Sequence, residues 1–241
     1  MIYYTAPGGH IQVRRVNRME QKYGKRTVSR MDTCTENNVV RLCGVMAGAP
    51  LFSHGSRGQD FYGFPLAVRR LSGNCDTLNI VLRASQLDAL RTLERDRILI
   101  TWELRSFNNR RAEGAKLVLT VFAREIAAGG DEDENLVALT GTLCKPPNLR
   151  VTPMGRDICD LMLAVNRRYG RSDYLPCICW GLEARKAARW PVGAVVRLEG
   201  RFQSRPYLKL LEDGSERRVA YEVSAAEVEA LEIPERAETV R

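Results

Sequence analysis

Asp173-Tyr-Leu-Pro-Cys-Ile-Cys-Trp-Gly181 decides how this chain is read. Side chains on a strand alternate between two faces. Tyr174, Pro176, Ile178 and Trp180 therefore share one face, and Leu175, Cys177 and Cys179 the other. The Leu/Cys face suits a core. The Tyr/Trp face is left for solvent or a ligand, unless Trp180 packs against the helix that follows. That helix is expected over Leu182–Trp190, carrying Ala184, Ala187 and Ala188, and Pro191 stops it.

Outward from this segment, strands are expected over Leu136–Leu143, Asp157–Asn166, Val195–Phe202 and Arg218–Val228, with a turn at Lys145-Pro-Pro-Asn148. Three strands, a short helix and two more strands is the order of a five-stranded OB barrel, with some other small barrel as the alternative on pattern alone.

The same unit occurs twice. Asn38-Val-Val-Arg-Leu-Cys-Gly44 lines up with Asn135-Leu-Val-Ala-Leu-Thr-Gly141, 97 positions later. At that offset Leu66-Ala-Val-Arg-Arg70 matches Leu163-Ala-Val-Asn-Arg167, and Asp76-Thr-Leu matches Asp173-Tyr-Leu. After a shift of one residue, Leu104-Arg-Ser106 matches Phe202-Gln-Ser204. A period near 97 residues is too long for a solenoid repeat and fits a duplicated domain.

The fold class is therefore all-β, with two tandem OB barrels, each carrying a short helix between its third and fourth strands. In the first copy that helix is expected over Leu87–Arg95. The expected organisation is a basic, disordered extension over 1–36, a first OB domain over 37–126, a flexible acidic linker over 127–134 (Ala-Ala-Gly-Gly-Asp-Glu-Asp-Glu), a second OB domain over 135–231, and a short tail over 232–241.

The net charge is +8, which favours anionic partners. Residues 135–231 carry 15 Lys/Arg against 11 Asp/Glu, and residues 37–134 carry 13 against 12. The second domain is the more basic. Seven cysteines occur without a C-x-x-C pair, and His10 and His54 are the only histidines. The cysteines read as small core hydrophobes in a reducing cytoplasm, and no metal or cofactor is expected. No apolar run reaches the 18 residues that a membrane span needs, so the chain is read as soluble and cytoplasmic.

Tyr174 and Trp180 are candidate stacking residues, because every base has a π-face. Tyr169 lies in Asn166-Arg-Arg-Tyr-Gly-Arg171, a hairpin tip with three arginines, and Tyr207 lies in Arg205-Pro-Tyr-Leu-Lys209. Aromatics interleaved with cations offer stacking and phosphate neutralisation together. The candidate phosphate contacts are Arg150, Arg156, Arg167, Arg168, Arg171, Arg201, Arg205 and Lys209.

Four stretches make residues 135–231 resemble the bacterial single-stranded DNA-binding protein family. They are Leu149-Arg-Val-Thr-Pro-Met-Gly155, Leu163-Ala-Val-Asn-Arg-Arg-Tyr169, Asp173–Gly181 and Leu198-Glu-Gly-Arg-Phe-Gln-Ser-Arg205. The resemblance implies that Tyr169, Tyr174, Trp180 and Tyr207 stack bases. It also implies a homodimer presenting four OB domains. Residues 37–126 look like a diverged copy, with Ser72, Thr77, Arg83 and Asn109 at the four aromatic positions and their own Phe52, Phe61, Tyr62 and Phe64 elsewhere. The second copy is therefore expected to dominate binding, with the first either serving chiefly in assembly or extending the strand's path through Arg69, Arg70, Arg83 and Arg105. The family's acidic tail with an Asp/Phe tip is replaced here by Leu231-Glu-Ile-Pro-Glu-Arg-Ala-Glu-Thr-Val-Arg241, which argues against tail-mediated recruitment of replication proteins.

The implied function is sequence-tolerant binding of single-stranded DNA in replication, recombination or repair, with RNA as a possible second ligand. The alternative is an OB-type interaction module, such as a primosome adaptor, that binds nucleic acid weakly. An enzyme is not expected: no Ser/His/Asp arrangement, paired carboxylates, metal cluster or phosphate-cradling Gly loop is visible.

Overall fold

The computed structural model describes residues 37–93, 96–109, 117–167, 170–211 and 214–234, and side chains are not described at 209–211. The expectations for 1–36, and for Arg168 and Tyr169, lie outside the described residues.

The first half runs β1 (Asn38–Met46), β2 (Leu51–Ser56), β3 (Gln59–Arg69), β4 (Cys75–Arg83), a 3-10 turn, α1 (Leu87–Arg91), β5 (Arg97–Asn108) and β6 (Leu117–Ala128). The second runs β7 (Glu134–Leu143), β8 (Asn148–Val151), β9 (Asp157–Asn166), β10 (Ser172–Trp180), α2 (Gly181–Ala187), β11 (Val195–Leu211) and β12 (Gly214–Glu232).

Each half closes on itself. In the first, β1 pairs with β3, β3 with β4, β4 in parallel with β6, β6 with β5, and β5 with β1. In the second, β7, β9, β10, β12 and β11 close in the same order, with β10 parallel to β12. Closure with one parallel contact between the third and fifth barrel strands is the OB arrangement, and it removes the open sheet edge.

Each barrel has one strand more than the spacing predicts. β2 and β8 are short arms folded back on β3 and β9. Their residues are exposed throughout, so they lack the half-buried alternation by which strands are found in sequence. The tip of the first arm turns on Arg57 and Gly58, both at positive φ (51° and 72°), the two-residue turn that suits the twist of a hairpin. β11 and β12 also run past the barrel as a paired ribbon, Arg205–Leu211 against Gly214–Ala220. α1 and α2 are shorter than expected, ending at Arg91 and Ala187.

The connection between the barrels is Gly129–Asp133, not a loose linker. Gly129 donates its N–H to the Arg97 carbonyl at 2.9 Å, and Asp133 pairs with the Arg97 guanidinium. β1 and β7 then pair antiparallel, Val40 opposite Val137 and Leu42 opposite Asn135. Val40, Leu42, Val137 and Leu139 are buried in one apolar cluster that runs through both halves. Each such side chain contributes about 1.5–3 kcal/mol through burial.

Gly44 and Gly141 occupy matching places in β1 and β7. A Cβ there would come within 2.3 Å of the Ala67 carbonyl oxygen and 2.8 Å of the Ala164 oxygen. Only glycine lets these strands approach so closely.

No helix among the described residues is long and apolar enough to cross a membrane.

Candidate nucleic-acid interface

The pairing registers gather the second barrel's candidates onto one face. Residues directly opposite one another in a ladder point the same way. Trp180 lies opposite Ile158, and Ile158 opposite Arg150. Ile178 lies beside Ser224, Ser224 opposite Arg201, and Arg218 opposite Tyr207. Tyr174, Trp180, Arg150, Arg201, Arg205 and Tyr207 thus share the outer surface of the β8–β9–β10–β12–β11 sheet. Leu175, Cys177 and Cys179 face inward and are fully buried, as expected.

Tyr174 is 52% exposed, Trp180 41% and Tyr207 37%. Trp180 is therefore not packed away against α2; it is the residue before that helix, and Gly181 turns the chain there at φ +58°. Ile178 keeps to the expected face but is not open to solvent. It is only 4% exposed, because β12 runs beside it at Ser224. The aromatics form two stations with a buried aliphatic between them, rather than a continuous row.

The arginines divide into two groups. Arg156 and Arg171 are exposed at turns. Arg150 grips Asp160 with two hydrogen bonds, at 2.7 and 2.9 Å, which push its pKa up. Arg205 pairs with Glu222 at 3.3 Å. Arg201 donates to Gln203 at 3.1 Å, and desolvation of its guanidinium, reinforced by the charge of Arg70, pushes its pKa down. Lys209 sits on the ribbon opposite Glu216.

Arg167 is tied to a carboxylate of its own barrel. Its guanidinium is bound to Asp173, with Nε to Oδ2 at 2.6 Å, and its Nη2 donates to the Ser106 carbonyl at 3.0 Å. Asp173 is fully buried, and a buried carboxylate needs a counter-charge, which Arg167 supplies. In the first barrel Arg70 does the same for Asp76, with bonds of 2.7 and 2.6 Å. Arg105 pairs with Glu103 and lies 3.6 Å from Asp173. Arg69 and Arg83 are exposed. Arg70 and Arg105 therefore lie in the contact between the barrels.

Sequence reasoning missed this reciprocal contact between the barrels, although its residues are the matching repeat blocks. Ser106 N–H donates to Asp173 at 2.6 Å, and Ser204 N–H donates to Asp76 at 2.8 Å. Within each barrel, Asn38 bonds both backbone groups of Leu104, and Asn135 both backbone groups of Phe202.

Two closed barrels, each with a parallel contact between its third and fifth barrel strands and one with aromatics and arginines on its outer sheet, define an OB-fold protein. Residues 134–231 match the model of the single-strand binding protein family. Single-stranded DNA-binding protein 2 of Listeria innocua serovar 6a is 37% identical over 106 residues, 41% of this chain and 64% of that protein. Single-stranded DNA-binding protein A of Bacillus subtilis strain 168 is 35% identical over 106 residues, 41% of this chain and 59% of that protein. The chain thus spans about three fifths of the length of these relatives. The crystal structure of wild-type single-stranded DNA binding protein from Thermus aquaticus matches 83% of this chain and 96% of its own, with a TM-score of 0.65 and 24% identity, a likeness of fold. The likeness in sequence to the single-strand binding protein family is thus confined to the second barrel.

Proposed function

We propose that the protein binds single-stranded DNA with little sequence preference, in replication, recombination or repair, and that the second barrel, residues 135–231, supplies most of the affinity. The observation that carries this reading is the exposure of Tyr174, Trp180 and Tyr207 on one outer sheet face beside arginines. Bases stack on the rings and the cations neutralise phosphates. Tyr169 and Arg168, singled out in the sequence, are proposed as members of the same contact set. The Listeria and Bacillus relatives are single-stranded DNA-binding proteins, which supports the same reading.

The working assembly is a homodimer, which would bring four OB barrels together. Light scattering tests it: twice the 27.2 kDa chain mass is expected, and a single-chain mass overturns it.

A fluorescence titration with single-stranded DNA, RNA and duplex tests the binding itself. Preference for single strands over duplex, weakening as salt rises, is expected. Weak binding of single strands even at low salt would instead favour an interaction module, and affinity for duplex equal to that for single strands would overturn the reading.

A further inference from the structure

Gln203 and Glu222 are polar, yet only 5% and 7% exposed. They lie directly opposite one another in the β11–β12 ladder, beside the inward pair Phe202 and Val223, so both point to the outer face. Gln203 donates from Nε2 to Glu222 Oε1 at 2.9 Å. The same carboxylate oxygen accepts from Arg205 Nε at 3.3 Å. The Gln203 carbonyl oxygen accepts from Arg201 Nη2 at 3.1 Å. A bonded row therefore runs from Arg201 through Gln203 and Glu222 to Arg205.

Strand geometry sets the spacing of that row. Arg201, Gln203 and Arg205 alternate with Phe202 and Ser204, so they share one face, and the two arginines start about 13 Å apart. Both arginines are exposed, and each bond takes one of a guanidinium's five N–H donors. Burying an amide and a carboxylate costs free energy, and an apolar pair would fill the same place without that cost. The first barrel is built differently there. Glu103, Arg105 and Phe107 stand at the matching positions, and Arg105 is drawn to Glu103 and to Asp173 at the junction.

We infer that Gln203 and Glu222 are positioning residues, which hold the guanidiniums of Arg201 and Arg205 in the orientation that meets two phosphates of a bound single strand. The inference rests on the proposed function. An arginine free to rotate loses that freedom on binding, whereas one already fixed by a neighbour loses less and binds more tightly through the same contact. Gln203 and Glu222 themselves lie beneath the surface and touch no ligand.

The test uses the full chain and a labelled oligothymidylate, with affinity read by anisotropy. Gln203→Met keeps the volume and removes both bonds, and it should weaken binding about tenfold. Glu222→Gln keeps an acceptor for Arg205 and should bind at least as tightly as the wild type. In an Arg201→Ala/Arg205→Ala background, Gln203→Met should change the affinity no further, because positioning acts only through the arginines. A merely structural Gln203 would cost the same in both backgrounds, and that result overturns the inference, as does wild-type affinity in Gln203→Met. NMR relaxation of the arginine Nε–H groups in the free wild type gives a check that needs no variant to fold. Arg201 and Arg205 should be more rigid than Arg156 and Arg171, and equal mobility overturns the inference. If Arg201→Ala/Arg205→Ala binds like the wild type, this inference falls and the proposed function stands. If the wild type does not bind the oligonucleotide, both fall.

Discussion

Asp76 in the first barrel accepts the backbone N–H of Ser204 in the second at 2.8 Å, and Asp173 accepts that of Ser106 at 2.6 Å. Each aspartate is fully buried and held by an arginine of its own barrel, Arg70 or Arg167. The arginine then reaches across to the carbonyl of the serine opposite, 3.4 Å for Arg70 and 3.0 Å for Arg167. The two halves of one chain are therefore fastened by the same device used twice. The pairing explains why the repeat blocks containing Arg70, Asp76 and Ser106 match those containing Arg167, Asp173 and Ser204.

Removing either aspartate leaves a guanidinium and a serine N–H without their partner at the junction. Breaking a buried pair in this way costs about 3–5 kcal/mol. Asp76→Ala and Asp173→Ala should each lower the Tm by several degrees in calorimetry, and the double variant should lose less than the sum if the two junctions act as one unit. Unchanged melting of both single variants would mean that the β1–β7 core alone holds the barrels together.

Trp180→Ala and Tyr174→Ala should each weaken single-strand binding by about 1–3 kcal/mol, roughly 5- to 150-fold. Both rings are about half exposed, so circular dichroism and Tm should barely move. Normal affinity in both variants, measured by anisotropy, would remove the outer face of β10 from the site.

The arginines can be separated by salt. Arg156 and Arg171 are exposed, and replacing either by alanine should make the slope of log K against log salt shallower by about 0.7 for the phosphate it neutralises. Arg167→Ala should leave that slope unchanged and destabilise the fold, because Arg167 neutralises Asp173. Titration of the three variants from low to moderate salt, with melting curves alongside, distinguishes the two roles.

Burial pushes the Cys177 thiol up, and pushes Cys179 up to about 12. Both should resist alkylation at neutral pH, whereas the exposed Cys75 reacts. A thiol whose folded pKa is raised stays protonated in the fold while the unfolded chain ionises. Stability is therefore full below about pH 9 and falls as pH rises toward 12, by about 1.4 kcal/mol per pH unit for each thiol. Iodoacetamide mapping at pH 7.5 and melting curves between pH 8 and 10.5 check both statements.

Much of the barrel was legible because its signals are local. Alternation in Asp173–Gly181 separated the buried Leu175, Cys177 and Cys179 from the exposed Tyr174 and Trp180, and Asp157–Asn166 matches β9 residue for residue. Ile178 broke that alternation, since its burial comes from β12, a strand more than forty residues away. The arms β2 and β8 escaped notice because exposed strands carry no hydrophobic period. In the first barrel the aromatic residues were visible, but Phe61 and Phe122 meet only because β3 and β6 flank β4.

The amino-acid sequence by itself determined the β class, the duplication, the order of strands and helix, and the aromatic residues of the second copy, because strand periodicity and repeat spacing are encoded along the chain. Only the tertiary structure decided which arginines are tied to a buried carboxylate at the junction between the barrels. A guanidinium's role depends on the carboxylate that reaches it in space, and Arg70 and Arg167 meet Asp76 and Asp173 at the junction between barrels while Arg156 and Arg171 stay in solvent.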